Sequence, residues 1–272
     1  MENPLVAVSF VFFLWWFLTG IILVIVNWAD NKGEKYHKYV TIALLPLLGA
    51  GFYGFGLSLT DTSISGVYFA FLSSLCIWGW LELAFLAGII TGPNRAEKPS
   101  GLNGFKRFWL AWTSIAYAEV MLISVLLVLF LLSAGYPNWV GLLTFVVLYV
   151  ARLSAKLNLF FGVPKINIEF LPASVSHLAS HFKISRISWF FPVSILLLVG
   201  LLIYWFNNLR LSSESSSEII GLCFLFTLTT LALLEHLFMV VSFPDAALWR
   251  WMIPKAQSSA KIDLNESETV TK

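Results

Sequence analysis

The chain has 272 residues, 58% of them hydrophobic and only 12% charged, with a mean hydropathy of +0.82 and a formal net charge of +2. A soluble domain carries about 25% charged residues, so this composition excludes a soluble enzyme and predicts an all-α integral membrane protein. Nothing in the charge pattern predicts a nucleic-acid partner. Cys76 and Cys223 both fall inside apolar runs and read as small packed hydrophobes, not as a disulfide framework.

Seven apolar runs are long enough to cross about 30 Å of hydrocarbon. The first, Val6 to Trp28, is too long and lacks the basic flank of a cleavable signal, so it is expected to stay as a span. The second, Tyr39 to Leu59, contains Pro46, which should bend it, and Gly49, Gly51, Gly54 and Gly56, which should let a neighbour approach closely. The third runs from Val67 to Thr91 with Glu82 inside it, and the fourth from Phe108 to Leu132 with Glu119 inside it. The fifth, Trp139 to Gly162, carries Arg152, Lys156 and Asn158. The sixth is Trp189 to Phe206, and the seventh, Ile219 to Ser242, carries Glu235 and His236. The spans are expected to form one transmembrane domain over residues 1–256, followed by a polar, disordered cytoplasmic tail over 257–272.

Fourteen of the 17 basic residues fall in the first, third and fifth loops and the C-terminal tail; Arg210 falls on the other side, and Arg152 and Lys156 lie inside a span. The positive-inside rule therefore predicts a periplasmic N-terminus and a cytoplasmic C-terminus. Within the fifth loop, Leu171, Val175, Leu178 and Phe182 recur at helical spacing, which predicts a short amphipathic helix over 171–182 lying on the membrane surface. His177 and His181 share a flank of that helix and are expected to be solvated, as is His37 in its lysine-rich loop. Trp249 and Trp251 around Arg250 predict an interfacial anchor after the last span.

At 1.5 Å per helical residue, Glu82, Glu119, Arg152, Lys156, Glu235 and His236 all lie roughly 9–16 Å from the cytoplasmic ends of their spans. Intramembrane charges are costly and mark function by default, so these residues, with Asn158, are expected to meet in one polar cluster. Ion pairs that fix helix register are one reading of it. A metal site is another: Glu82, Glu119, Glu235, His236, His177 and His181 are all chemically able to ligate, and His177 and His181 have i, i+4 spacing. No Glu-x-x-His motif is present, and Arg152 and Lys156 would repel a dication, so a metal is disfavoured. The 12 Trp and 24 Phe would also suit a large flat ligand such as a tetrapyrrole or carotenoid, although aromatic belts account for most of them. A transporter would call for inverted broken-helix repeats, and none is evident.

Several stretches in order along the chain resemble one family. They are W-W-F-L-T-G at Trp15 to Gly20, W-G-W-L-E-L-A-F-L-A-G-I-I-T-G-P at Trp78 to Pro93, and A-R-L-S-A-K-L-N-L-F-F-G-V-P at Ala151 to Pro164. To these add E-F-L-P at Glu169 to Pro172, H-L-A-S-H-F at His177 to Phe182, L-L-E-H at Leu233 to His236, and L-W-R-W at Leu248 to Trp251. Together they resemble the PuhE family of photosynthetic complex assembly proteins of phototrophic bacteria. One departure is Ala118-Glu119, where family members tend to show His-Glu. The resemblance implies a multi-pass protein of the bacterial inner or intracytoplasmic membrane. Such a protein would support accumulation of reaction-centre and light-harvesting complexes through bacteriochlorophyll supply or pigment–protein assembly. It implies reaction-centre or light-harvesting subunits, or pigment-synthesis enzymes, as partners, and brings no established reaction. The rival expectation is a metal-dependent membrane enzyme, or enzyme subunit, acting on a bacteriochlorophyll precursor or a lipid.

Overall fold

The computed structural model describes residues 3–99, 101–168, 171–211 and 216–241. Among these the fold is all-helical: α1 (Pro4–Lys32), α2 (Lys35–Ala43), α3 (Leu45–Ser58), α4 (Ile64–Leu86), α5 (Gly104–Ser133), α6 (Val140–Phe161), α7 (Phe190–Leu211) and α8 (Ser216–Phe238). Helices α2 and α3 together make one span, so the seven expected spans are all present. The expected tail and the Trp249–Trp251 anchor lie outside the described residues, as do Ser242, Glu169 and Phe170.

The second span breaks at Leu44, just upstream of Pro46. Proline removes a backbone donor and crowds the preceding turn, so a new helix starts with Pro46 in its first turn. Only two of its four glycines make a close helix contact. A Cβ on Gly51 or Gly54 would collide with Ile77 or Ser73 of α4, whereas Gly49 and Gly56 face open space.

Burial divides the helices unevenly. In α4 and α8, 56% of the membrane-crossing window is buried, against 11% in α1. The two central helices pack through Phe71 and Phe224, whose rings lie 4.6 Å apart, with Tyr68 and Phe10 around them. A second apolar cluster joins Phe55, Ile77, Leu81, Leu122 and Phe145 of α3 to α6. Gly162, at φ +126°, ends α6 and turns the chain towards the segment that covers this end of the bundle.

That covering segment corrects the expected surface helix. It is a 3-10 helix, Ala173–His181, kinked at Val175. Its apolar residues are turned onto the bundle, where Val175 and Leu178 pack with Phe85 and Ala118 of α4 and α5. We call it the cap. Its tether at one end is the Asp30 carboxylate, which accepts the Ala173 N–H at 3.1 Å. The Ser174 hydroxyl donates to the Leu86 carbonyl, and the Ser180 hydroxyl accepts the Lys98 N–H at 2.9 Å. A parallel bridge between Val163 and Ile184 closes the loop around it.

Candidate functional site

Helix α6 carries the polar residues that hold its neighbours. With about 100° between successive residues, Arg152 and Lys156 share one face, and Ser154 and Asn158 take the opposite one. On the first face Arg152 Nη1 pairs with Glu82 Oε1 of α4, and Lys156 Nζ donates to Glu119 Oε1 of α5 at 2.6 Å. Phe85 lies between the pairs, with its ring centroid 4.6 Å from the Arg152 guanidinium and 4.4 Å from Lys156 Nζ. A cation over a ring face gains on the order of 1 kcal/mol, more when desolvated. Glu119 is almost fully buried, so its pairing with Lys156 is the condition for placing a carboxylate there.

The opposite face is neutral. His236 Nδ1 lies 2.7 Å from the Ala232 carbonyl, which can only accept, so Nδ1 carries a proton. In the neutral ring Nε2 then accepts from the Ser154 hydroxyl at 2.7 Å. Asn158 Nδ2 donates to the Ser154 carbonyl at 3.0 Å and to the Ser194 hydroxyl of α7 at 2.8 Å. The residues expected as one cluster therefore divide between two faces of α6, and His236 is turned away from the ion pairs.

Glu235 stands apart from both sets. Its Oε1 accepts the Trp15 indole N–H of α1 at 2.9 Å. No cation pairs with it among the described residues. It faces a cleft between α1 and the group α4, α6 and α8, where two cavities of about 340 and 380 Å3 meet. Trp15, Thr19, Leu23, Leu86 and Glu235 line both. Glu82 and Arg152 line the first of them. Ligand pockets are commonly about 300–1,000 Å3, mostly apolar with a few convergent polar groups, and this cleft has that character.

The histidines require correction. His177 and His181 are buried on the bundle-facing side of the cap, not solvated. His181 Nε2 lies 3.2 Å from the Ser114 hydroxyl of α5. Burial pushes the pKa of His181 below its ordinary value, and the nearby His177, Lys98 and Arg107 push it further in the same direction. His177 is lowered by burial and by Arg95. His37 is also buried, with Nε2 3.0 Å from Asp30 Oδ1, so Asp30 joins α2 to the cap. Among the described residues no three His, Cys, Asp or Glu side chains come together as metal ligands. The six candidate ligands named from the sequence are spread over the two ion pairs, the cleft, the Ser154 contact and the cap.

Sequence reasoning did not single out Trp15, Ser154, Ser194 or Asp30. Ser154 had one usable signal: it sits midway between Arg152 and Lys156 in a span already marked by charge.

A family model described as "Protein of unknown function (DUF3623)" matches residues 1–260. The chain belongs to the DUF3623 family. Over 261 residues this DUF3623 member is 42% identical to the "Uncharacterized 30.4 kDa protein in puhA 5'region" of Rhodobacter capsulatus, which covers 96% of this chain and 95% of the relative. No solved structure matches it.

Proposed function

We propose that this DUF3623 protein is a PuhE-type assembly factor. In this reading it sits as one transmembrane domain in a bacterial inner or intracytoplasmic membrane, with its N-terminus periplasmic and its C-terminus cytoplasmic. It holds a bacteriochlorophyll-type or carotenoid pigment in the cleft beside α1. It then hands that pigment to reaction-centre or light-harvesting subunits, or receives it from pigment-synthesis enzymes. One observation carries the reading: a membrane-embedded, mainly apolar cleft presents Glu235, which has no cation partner among the described residues, next to the Glu82–Arg152 pair. The apolar walls suit a pigment macrocycle or polyene, and the polar groups suit its ring substituents or an axial ligand position. The name of the 42% identical relative, placed in a puhA 5' region, supports a photosynthetic setting.

The experiment is purification of the full chain in mild detergent from a pigment-producing phototroph, with an absorption spectrum of the product. Wild-type protein should carry pigment near one equivalent. Gly79 lines the cleft and a Cβ there meets nothing within 4 Å, so Gly79→Leu adds a side chain at the cleft from a position with room for its Cβ. That variant should lose the pigment and lower the level of light-harvesting complexes. Pigment-free wild-type protein, together with unchanged complexes in the Gly79→Leu strain, would sink the reading.

A further inference from the structure

A second amphipathic site adjoins the cleft, with which it shares Leu159, Leu171 and Phe182. Between α5 and α6 is an apolar cavity of about 400 Å3, walled by Phe108, Trp112, Leu157 and Phe160. At the end of the helices it adjoins a more open hollow of about 550 Å3 that shares Phe108 and Phe160 and is lined by Arg107, Lys183 and Trp189. Cations unpaired among the described residues thus sit at the mouth, and inside the walls are mainly hydrocarbon, with the Lys156–Glu119 pair and His181 at their edge.

The mouth is fixed in place. Arg107 lies over the Phe160 ring, 4.0 Å from its centroid, and its Nη2 donates to the Phe160 and His181 carbonyls at 2.6 and 3.1 Å. A guanidinium has five N–H donors. Those on Nε and Nη1 have no partner among the described residues. Lys183 is set beside α6 by its backbone, which donates to the Leu159 carbonyl at 2.9 Å and accepts the Val163 N–H at 3.2 Å. Its ammonium pairs with no carboxylate among the described residues. Trp189 is 69% exposed, as an interfacial tryptophan is.

We infer that this pair of hollows binds an anionic glycerophospholipid, with the phosphate on Arg107 and Lys183 and one acyl chain inserted between α5 and α6. Two cations at the mouth favour an anionic over a zwitterionic headgroup. A methylene fills roughly the volume of a water, about 30 Å3, so the inner cavity holds about a dozen chain carbons. Arg107 ties α6 to the cap, so a lipid seated there joins α5, α6 and the cap into one unit. The site owes nothing to the pigment reading and stands without it.

The test is native mass spectrometry and thermal unfolding of the full chain in neutral detergent, titrated with phosphatidylglycerol, phosphatidylcholine or glycerol 3-phosphate. Phosphatidylglycerol should bind at one site and raise the unfolding temperature. Phosphatidylcholine and glycerol 3-phosphate should do so far less. Lys183→Gln should weaken phosphatidylglycerol binding about fivefold, the share expected of one basic residue near a headgroup. Ala111 lines the inner cavity, so Ala111→Phe should block the acyl chain and weaken long-chain more than short-chain phosphatidylglycerol. Equal binding of the two phospholipids, equal protection by glycerol 3-phosphate, or wild-type binding by both variants would overturn the inference.

Discussion

Lys156 and Glu119 meet at 2.6 Å across the α5–α6 contact, and Glu119 has almost no other access to solvent or lipid. The bond gives α5 a specific hold on α6 along a stretch where the apolar cavity otherwise separates them.

Removing one partner should therefore cost far more than removing both. Lys156→Met leaves Glu119 buried without a cation and should destabilise the bundle by about 3–5 kcal/mol. Adding Glu119→Leu replaces the pair with apolar packing and should recover most of that loss. Thermal unfolding of detergent-purified single and double variants measures the difference. Additive losses would show that the pair is not coupled.

The α3–α4 contact should discriminate between two glycines in one helix. At Gly51 an added Cβ would lie 2.8 Å from Ile77 Cγ1 and 3.0 Å from the Ser73 carbonyl. Gly51→Ala should therefore cost about 1–3 kcal/mol through overpacking. Gly49→Ala meets nothing and should be neutral or slightly stabilising. Unfolding temperatures of the two variants provide the comparison.

Asp30 should hold the cap in place from a distance in sequence. It accepts from the exposed Ala173 N–H and pairs with buried His37, so Asp30→Ala frees the start of the cap and leaves His37 without its carboxylate. The expected loss is about 1–3 kcal/mol, confined largely to the cap. Limited proteolysis between residues 165 and 183 should become faster, while Asp30→Asn, which keeps an acceptor oxygen, should be intermediate.

Acid should loosen the same segment. His177 and His181 are held below the ordinary histidine value, first by burial and then by Arg95 for one and by His177, Lys98 and Arg107 for the other. The closed cap therefore binds protons less readily than the open one. Its stability is complete above about pH 6.5, the unfolded histidine value, and declines as pH falls below it. Hydrogen exchange across 171–183, corrected for intrinsic rates, should accelerate between about pH 7.5 and 5.5. His181→Gln should flatten that dependence.

The spans were legible because hydrocarbon sets a length and a hydropathy that the sequence must meet. Arg152, Lys156, Glu82 and Glu119 were legible as intramembrane ions for the same reason. Which carboxylate met which cation was not, because pairing depends on helix rotation and neighbour order, and hydropathy encodes neither. Ser154 and Trp15 passed unnoticed because serine and tryptophan are ordinary in membrane helices and become informative only beside His236 and Glu235. The cap misled because its helical spacing of apolar residues is equally the signature of a segment lying on lipid and of one folded down onto the bundle. Only tertiary contacts through Asp30, Ser174 and Ser180 decide between them.

Helix α6 is bolted on opposite sides, to α4 and α5 through Arg152 and Lys156, and to α8 and α7 through Ser154 and Asn158. Such a helix works as a keyed shaft. Turning it by even half a residue step would strain all four links together, so a twisting gate is closed to this molecule. By contrast α1 is lightly buried, and Trp15 reaches across the cleft to Glu235 through an indole-to-carboxylate bond. Of the helices that wall the cleft, α1 has the smallest buried share, so it is the wall that costs least to move.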